Sequence, residues 1–206
     1  MYTLYARPGS GSFVVEAAFD LIGEPYECID VPKSDKPDPA FLKVSPLNQV
    51  PALALPDGSA MTESLAICVL LAERFPQAGL APAADAPQRA DFLRWMALMT
   101  SVVYPAVLRF YYAARYTADA GGTGGVKQGA IAEMDRGFAV MDAALQGRRW
   151  LAGERQTIAD VYLLMLFSWH PERERAGAAW KNVERLCSAL RGQPLMQRLN
   201  ARHAMW

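Results

Sequence analysis

Apolar and polar positions follow two different rhythms along this chain, and the change between them divides it. Met1 to Tyr5 is a short β-prone run closed by Arg7-Pro8-Gly9-Ser10-Gly11, residue types that punctuate regular structure. From Ser12 the apolar residues Val15, Ala18, Phe19 and Ile22 fall on one face of a predicted helix, which Gly23 stops. Tyr26 to Val31 predicts a second strand, and the polar, Pro-rich stretch Pro32 to Pro39 predicts a loop. Ala52 to Leu55 reads as a third strand, Pro56-Asp57-Gly58 as a turn, and Ala60-Met61 as a short fourth strand. A helix follows from Ser64 to Arg74 and ends before Pro76. The order β-α-β, loop, β-β-α suits a small α/β sheet domain.

Residues 78–87 are rich in Ala and Pro without a period and read as a linker, which places domains at 1–77 and 88–206. Beyond the linker the rhythm is helical throughout. Gln88 to Tyr116 is one long apolar-rich pattern interrupted at Pro105, which predicts a kink or two abutting helices. Gly121-Gly122-Thr123-Gly124-Gly125 predicts a flexible connector; it lacks the preceding strand and the Lys-Ser/Thr ending of a phosphate loop. Ile131, Met134, Phe138, Met141 and Leu145 recur at spacings of three and four, a single core stripe. Further helices are predicted at Ala159–Trp169, Ala179–Arg191 and Leu195–Met205.

Composition narrows the function more than the fold. The 206 residues are 52% hydrophobic and 20% charged, a globular balance. Lys plus Arg equals Asp plus Glu at 21 each, so no global field attracts nucleic acid or an anionic membrane. No apolar run approaches the ~20 residues of a membrane span, and the first residues lack a signal-peptide core, so a cytoplasmic protein is expected. The three cysteines, Cys28, Cys68 and Cys187, form no C-x-x-C pair and read as buried free thiols, with no metal site expected.

Three local features carry chemistry. In Asn48-Gln49-Val50-Pro51-Ala52-Leu53 a strand begins directly after a Val-Pro bond, a place suited to a cis peptide that turns the Val50 N–H and C=O toward a peptide-like ligand. In Thr62-Glu63-Ser64 a helix begins with an acid and a hydroxyl, Ser64 as the expected N-cap and Glu63 placed to meet an ammonium group, while the first-turn amides can take a carboxylate. In Thr157-Ile158-Ala159-Asp160 a hydroxyl and an acid three residues apart form a capping box, with Asp in place of Glu or Gln.

With Ser45-Pro46-Leu47 before the first feature and Trp150-Leu151-Ala152-Gly153 before the last, these strings fall in the order and spacing of the glutathione transferases, and the chain most resembles bacterial, beta-like members. The resemblance spans essentially the whole sequence. It implies a thioredoxin-like α/β N-terminal domain, an all-α C-terminal helical domain, a homodimer, and glutathione as co-substrate. It places Val50, beside Pro51, on the cysteinyl backbone of glutathione, Glu63 and Ser64 on its γ-glutamyl head, and Gln49 alongside the tripeptide. The sequence also departs from the beta pattern. The cysteine expected after the first strand is replaced by Gly11, flanked by Ser10 and Ser12; the His-Lys pair of the first long helix reads Tyr104-Pro105; and Gln156 stands where an apolar residue is usual.

Conjugation needs a thiolate. Lowering a free thiol's pKa of ~8.5 by about two units requires about 2.7 kcal/mol of preferential stabilisation. A hydroxyl hydrogen bond to a charged acceptor contributes ~1.5–3 kcal/mol and a helix N-terminus ~0.3–1 kcal/mol, which together suffice. The loop Pro8–Ser12 at the head of the first helix can supply both, with Ser10 the first choice of donor. Ser12, the expected cap of that helix, and Tyr5, where other classes of the family keep a tyrosine, follow in that order. Tyr104 and Tyr111, in an aromatic stretch with Phe110 and Tyr112, are the candidates for an apolar wall against the electrophile, with Arg109 beside them. His170 and His203 show no partner in the sequence and are assigned no catalytic role. The alternatives are a non-catalytic binding or regulatory protein of the same fold, or glutathione-dependent isomerase, peroxidase or disulfide-reductase chemistry at the same site.

Overall fold

The computed structural model describes residues 1–34, 36 and 38–206; Asp35 and Pro37, inside the stretch expected as loop, lie outside the described residues. The chain divides into two compact units, Met1–Ala81 together with Gly192–Trp206, and Pro82–Arg191. The last helix therefore belongs with the sheet unit, where the sequence pattern had placed it in a helical domain running to 206.

The first unit is built on a sheet with strand order β2-β1-β3-β4, formed by β1 Tyr2–Ala6, β2 Tyr26–Asp30, β3 Ala52–Ala54 and β4 Ala60–Thr62. β1 pairs parallel with β2 and antiparallel with β3, and β3 pairs antiparallel with β4. Along β1 the side chains alternate between faces. Tyr2, Leu4 and Ala6 are buried beneath α1 Ser12–Ile22 and α3 Ser64–Arg74, with the Tyr2 ring edge-on to Phe19 at 5.4 Å. Tyr5 points to the other face, where its ring lies 5.4 Å from Phe41 of α2 Pro39–Val44.

The pattern gave no sign of α2. Asp38 caps it by accepting from the Ala40 N–H at 2.8 Å and Pro39 fills its first turn, but Phe41 is its one buried residue, too little for a periodic signal. Gly23, at φ 76, ends α1 in the left-handed conformation that glycine adopts without strain, as its position implied. Cys28, expected among buried thiols, is exposed on the edge strand β2, whereas Cys68 and Cys187 are buried.

The second unit is helical: α4 Arg89–Leu98, α5 Tyr104–Tyr111, α6 Thr123–Ala144, α7 Ile158–Ser168, α8 Arg173–Ala179 and α9 Lys181–Arg191. α10, Pro194–His203, completes the first unit. The interruption expected at Pro105 takes the form of a widened π-helical turn, Met99–Val103, between α4 and α5. Pro105 has no N–H to donate and its ring crowds the carbonyl four residues back, so the ladder reopens one residue wider. The Thr100 hydroxyl takes up the Met96 carbonyl at 2.9 Å and the Ser101 hydroxyl takes up that of Ala97 at 2.8 Å.

Gly121–Gly125 is not a flexible connector, because α6 begins within it at Thr123. The stripe Met134, Phe138, Met141 and Leu145 is buried as expected and anchors the helix, with Ile131 only half-buried. The expected helix 179–191 is α9, which begins at Lys181, and α8 before it was not expected. Gly137, buried on α6, passes so close to the π-helical turn that a Cβ there would meet Val103 Cγ2 at 2.5 Å. Val103 is fully buried and its branched side chain is stiff in a helix. Gly137→Ala should therefore destabilise by about 1 kcal/mol, overpacking of ~1–3 kcal/mol outweighing a propensity gain of ~1 kcal/mol. Urea unfolding checks the sign; a stabilised variant would refute the close approach.

Candidate active site

The register of the sheet gathers the sequence-predicted residues. Tyr5 pairs with Ala52 across β1 and β3, and Ala52 pairs with Thr62 across β3 and β4. The loop that leaves β1, the residues that enter β3 and those that leave β4 therefore emerge along one edge. That edge collects Arg7–Gly11, Val50–Pro51 and Glu63–Ser64. With strands ~4.8 Å apart, β1 and β4 lie about 10 Å apart across it, close to the ~10 Å that three extended residues span.

At the head of α1, Gly11 occupies the cap position without a side-chain cap, and Ser12 is the first helical residue, not the cap expected. Ser12 is 0% exposed, and its hydroxyl is fastened to the loop: Oγ accepts from the Arg7 N–H at 3.2 Å and donates to the Arg7 C=O at 3.0 Å. Ser10 is half-buried; its Oγ lies 2.7 Å from the Arg7 carbonyl oxygen and 3.0 Å from Ser12 Oγ, and it accepts from the Ser12 N–H at 3.2 Å. Ser12 is thus a loop clasp, whereas Ser10 keeps one face toward solvent. Tyr5 is half-buried against Phe41, a sheet residue in its packing.

At β3 the Val50–Pro51 bond is cis. The segment before it is tied down by Ser45, buried, whose Oγ accepts from the Gln49 N–H at 3.1 Å and donates to the Gln49 C=O at 2.8 Å. Among the described residues no backbone hydrogen bond engages the Val50 N–H or C=O. Gln49 itself is exposed.

At β4, Glu63 rather than Ser64 takes the cap position of α3, and Ser64 is buried as the first helical residue. Glu63 holds φ 68 and ψ 107, a backbone conformation that L side chains rarely adopt. Its carboxylate is exposed and accepts from the Thr62 hydroxyl at 3.5 Å, a long contact that leaves most of its acceptor capacity open. A strained, exposed acid at an uncapped helix head is an arrangement that folding alone does not require.

In the helical unit Tyr104 and Tyr111 converge on Trp169. The Tyr104 ring lies 5.4 Å from the Trp169 ring, and the Tyr111 hydroxyl donates to the Trp169 carbonyl at 3.0 Å. None of the cysteines is primed: full burial pushes the Cys68 and Cys187 thiols up, and partial desolvation followed by the nearby Glu16 charge raises that of Cys28. Among the described residues no group of His, Cys, Asp and Glu is clustered to hold a metal ion, and no helix is long and apolar enough to cross a membrane.

The two histidines that show no partner in the sequence both have one in the fold. His203 accepts from the Gly9 N–H at Nδ1, 3.2 Å, and its Nε2 lies 3.0 Å from Glu16 Oε1. His170, which burial pushes to a lower pKa, meets Asp135 through Nε2 at 3.1 Å and accepts from the Glu172 N–H at Nδ1. Both partnerships bridge distant parts of the chain, which no local motif announces.

Comparison with known proteins identifies the family. The family model for the glutathione S-transferase N-terminal domain matches residues 4–79, and that for the C-terminal domain matches residues 95–194. An uncharacterised GST-like protein, YncG, of Escherichia coli is 29% identical over 98% of both chains. A zeta-class glutathione S-transferase of Euphorbia esula is 31% identical over 75% of this chain and 68% of its own. Among solved structures, a sphingomonad glutathione S-transferase complexed with glutathione superposes with a TM-score of 0.82 at 25% identity, covering 99% of this chain and 100% of its own. With family models matched across both units, the chain belongs to the glutathione S-transferase family.

Proposed function

We propose that this chain binds glutathione along the β1–β3–β4 edge, holds its sulfur as a thiolate at the head of α1, and conjugates it to a small hydrophobic electrophile. The observation that carries the reading is the register Tyr5–Ala52–Thr62, which sets three ligand-seeking features side by side. A tripeptide laid across that edge meets Glu63 and Ser64 with its γ-glutamyl head, pairs its cysteinyl backbone with Val50 beside Gln49 and Pro51, and directs its sulfur to Ser10. The γ-glutamyl group and the cysteinyl backbone meet β4 and β3 in chain order, and the sulfur, a side-chain branch of the central residue, reaches on toward β1. Electrophile recognition is assigned to Tyr104 and Tyr111. The same reading includes a cytoplasmic homodimer that disposes of reactive electrophiles; sedimentation as a monomer would count against the dimer.

Isothermal calorimetry with glutathione, followed by an assay with a chloroaromatic electrophile, tests the activity. Binding without conjugation would leave a binding protein, and the absence of heat from folded protein would remove the proposal. Glu63 gives a sharper test. Loss of a charge-assisted hydrogen bond removes ~1.5–3 kcal/mol, so Glu63→Gly should weaken glutathione binding by roughly 10- to 100-fold. The same change relieves the backbone at φ 68 and should raise stability by about 1 kcal/mol. Binding and stability moving in opposite directions is the expected signature; unchanged affinity would sink the role.

A further inference from the structure

Beneath the loop that carries Ser10 lies a polar cluster in an otherwise apolar interior. Glu16, on α1, and His203, in the last turn of α10, are each 2% exposed. Arg202 donates through Nε to Glu16 Oε2 at 2.9 Å, and its other nitrogens reach Asp30 on β2 and the Cys28 sulfur. A carboxylate this deep is stable only when paired and hydrogen-bonded, and Glu16 meets that condition through Arg202 and His203.

The geometry fixes the state of the imidazole. The Gly9 amide can only donate, so Nδ1 must be the bare nitrogen, and Nε2 carries the proton and donates it to Glu16. Glu16 thereby holds His203 as the tautomer that presents an acceptor to Gly9. The ring is held further by the edge-on Phe13 ring at 5.3 Å. Behind it, the Asn200 side chain ties the chain end, accepting from the Met205 and Trp206 N–H groups and donating to the Trp206 carbonyl. Gly9, at φ 70, is the residue directly before Ser10, and its peptide plane is the one His203 grips.

We propose that His203 is a positioning residue for thiolate formation. Oriented by Glu16 and Arg202, it anchors the Pro8–Gly9 peptide so that the Ser10 hydroxyl is held at the head of α1, and the C-terminal helix thus sets the geometry of the reacting loop. The inference rests on the reading of Ser10 as thiolate donor. Ser12 clasps the loop from the helix side, at Arg7; His203 clasps it from below, at Gly9. A loop held at both ends keeps Ser10 within the narrow range of positions that a short hydrogen bond to sulfur demands.

Two near-isosteres divide the two bonds of the imidazole. His203→Asn keeps an acceptor near the Nδ1 position and gives up Glu16; His203→Gln keeps a donor toward Glu16 and gives up the acceptor. In His203→Gln, kcat for conjugation should fall about fivefold, the bound thiol should titrate about half a unit higher by its ultraviolet thiolate absorbance, and KM for glutathione should stay within about twofold. His203→Asn, which keeps the acceptor toward Gly9, should lose less kcat and shift the thiol titration less than His203→Gln, even where its stability drops. Amide hydrogen exchange, which needs no activity, should show Gly9 protected in wild type and His203→Asn but not in His203→Gln. Equal exchange in the two variants, or equal kcat and thiol titration, would overturn the proposal. Failure of the underlying site is read separately: wild-type turnover in Ser10→Ala removes the thiolate reading whatever His203 does.

Discussion

Ser10→Ala should lower kcat for conjugation by about 10- to 100-fold and leave the glutathione Kd within about twofold. The magnitude follows from the ~1.5–3 kcal/mol that a hydroxyl contributes to a charged acceptor. In the structure the Ser10 hydroxyl accepts from the Ser12 N–H and is within reach of two neutral acceptors, the Arg7 carbonyl and Ser12 Oγ. A thiolate is the stronger acceptor because it is charged, so its arrival turns the proton outward at little cost to the loop, whose Arg7 carbonyl still accepts from Ser12. The bound thiol should titrate one to two units higher in the variant, since 1.36 kcal/mol corresponds to one unit. Tyr5→Phe serves as the control and should leave kcat unchanged, its ring being packed on Phe41. Wild-type kcat in Ser10→Ala, or a loss of turnover that follows Tyr5→Phe instead, would move the role elsewhere.

Such a loop was partly legible beforehand because its signals are local. Gly and Pro punctuation marks the end of β1, and one face of period 3.6 marks α1, so both elements fall where the pattern put them. For α3 both bounds, Ser64 and Arg74, coincide with the reading, because Pro76 and the Thr62-Glu63-Ser64 triplet bracket a clear apolar face. What escaped was set by packing at a distance. α2 is too short to show a period. The glycines of Gly121–Gly125 argued for a connector on propensity, yet Gly124 and Gly125 sit exposed in the first turn of a helix whose stability comes from Met134, Phe138 and Met141 further along.

The site shows the same divide. Val50, Glu63 and Ser64 lie in short local strings, which sequence reading can single out. The choice between Ser10 and Ser12 depends on which hydroxyl is buried, and burial is a tertiary property. His203 and Glu16 stand 187 positions apart, so no local string could join them. Their partnership exists only because α10 returns to pack on α1.

Asp160→Ala should cost the helical unit about 2–3 kcal/mol at pH 8. Asp160 is fully buried at the head of α7 and accepts three bonds, from the Leu151 N–H at 2.9 Å, the Thr157 N–H at 2.8 Å and the Thr157 hydroxyl at 3.1 Å. Alanine leaves both backbone donors buried without an acceptor, at ~1–3 kcal/mol each, while removing the cost of burying a charge. That cost is visible in the carboxyl's pKa, which burial pushes up to about 6 against the pull of its donors. The pH dependence follows in sign. A folded pKa above the unfolded ~3.9 means that the carboxyl's contribution is complete below about pH 4 and is lost as pH rises through about 6. The stability gap between wild type and Asp160→Ala should therefore be wider at pH 5 than at pH 8, by roughly 1.4 kcal/mol for the one unit below the folded value. Urea unfolding of both proteins at the two pH values measures it. A gap that widens with rising pH would show instead that the three donors outweigh burial and hold Asp160 as a carboxylate at a depressed pKa.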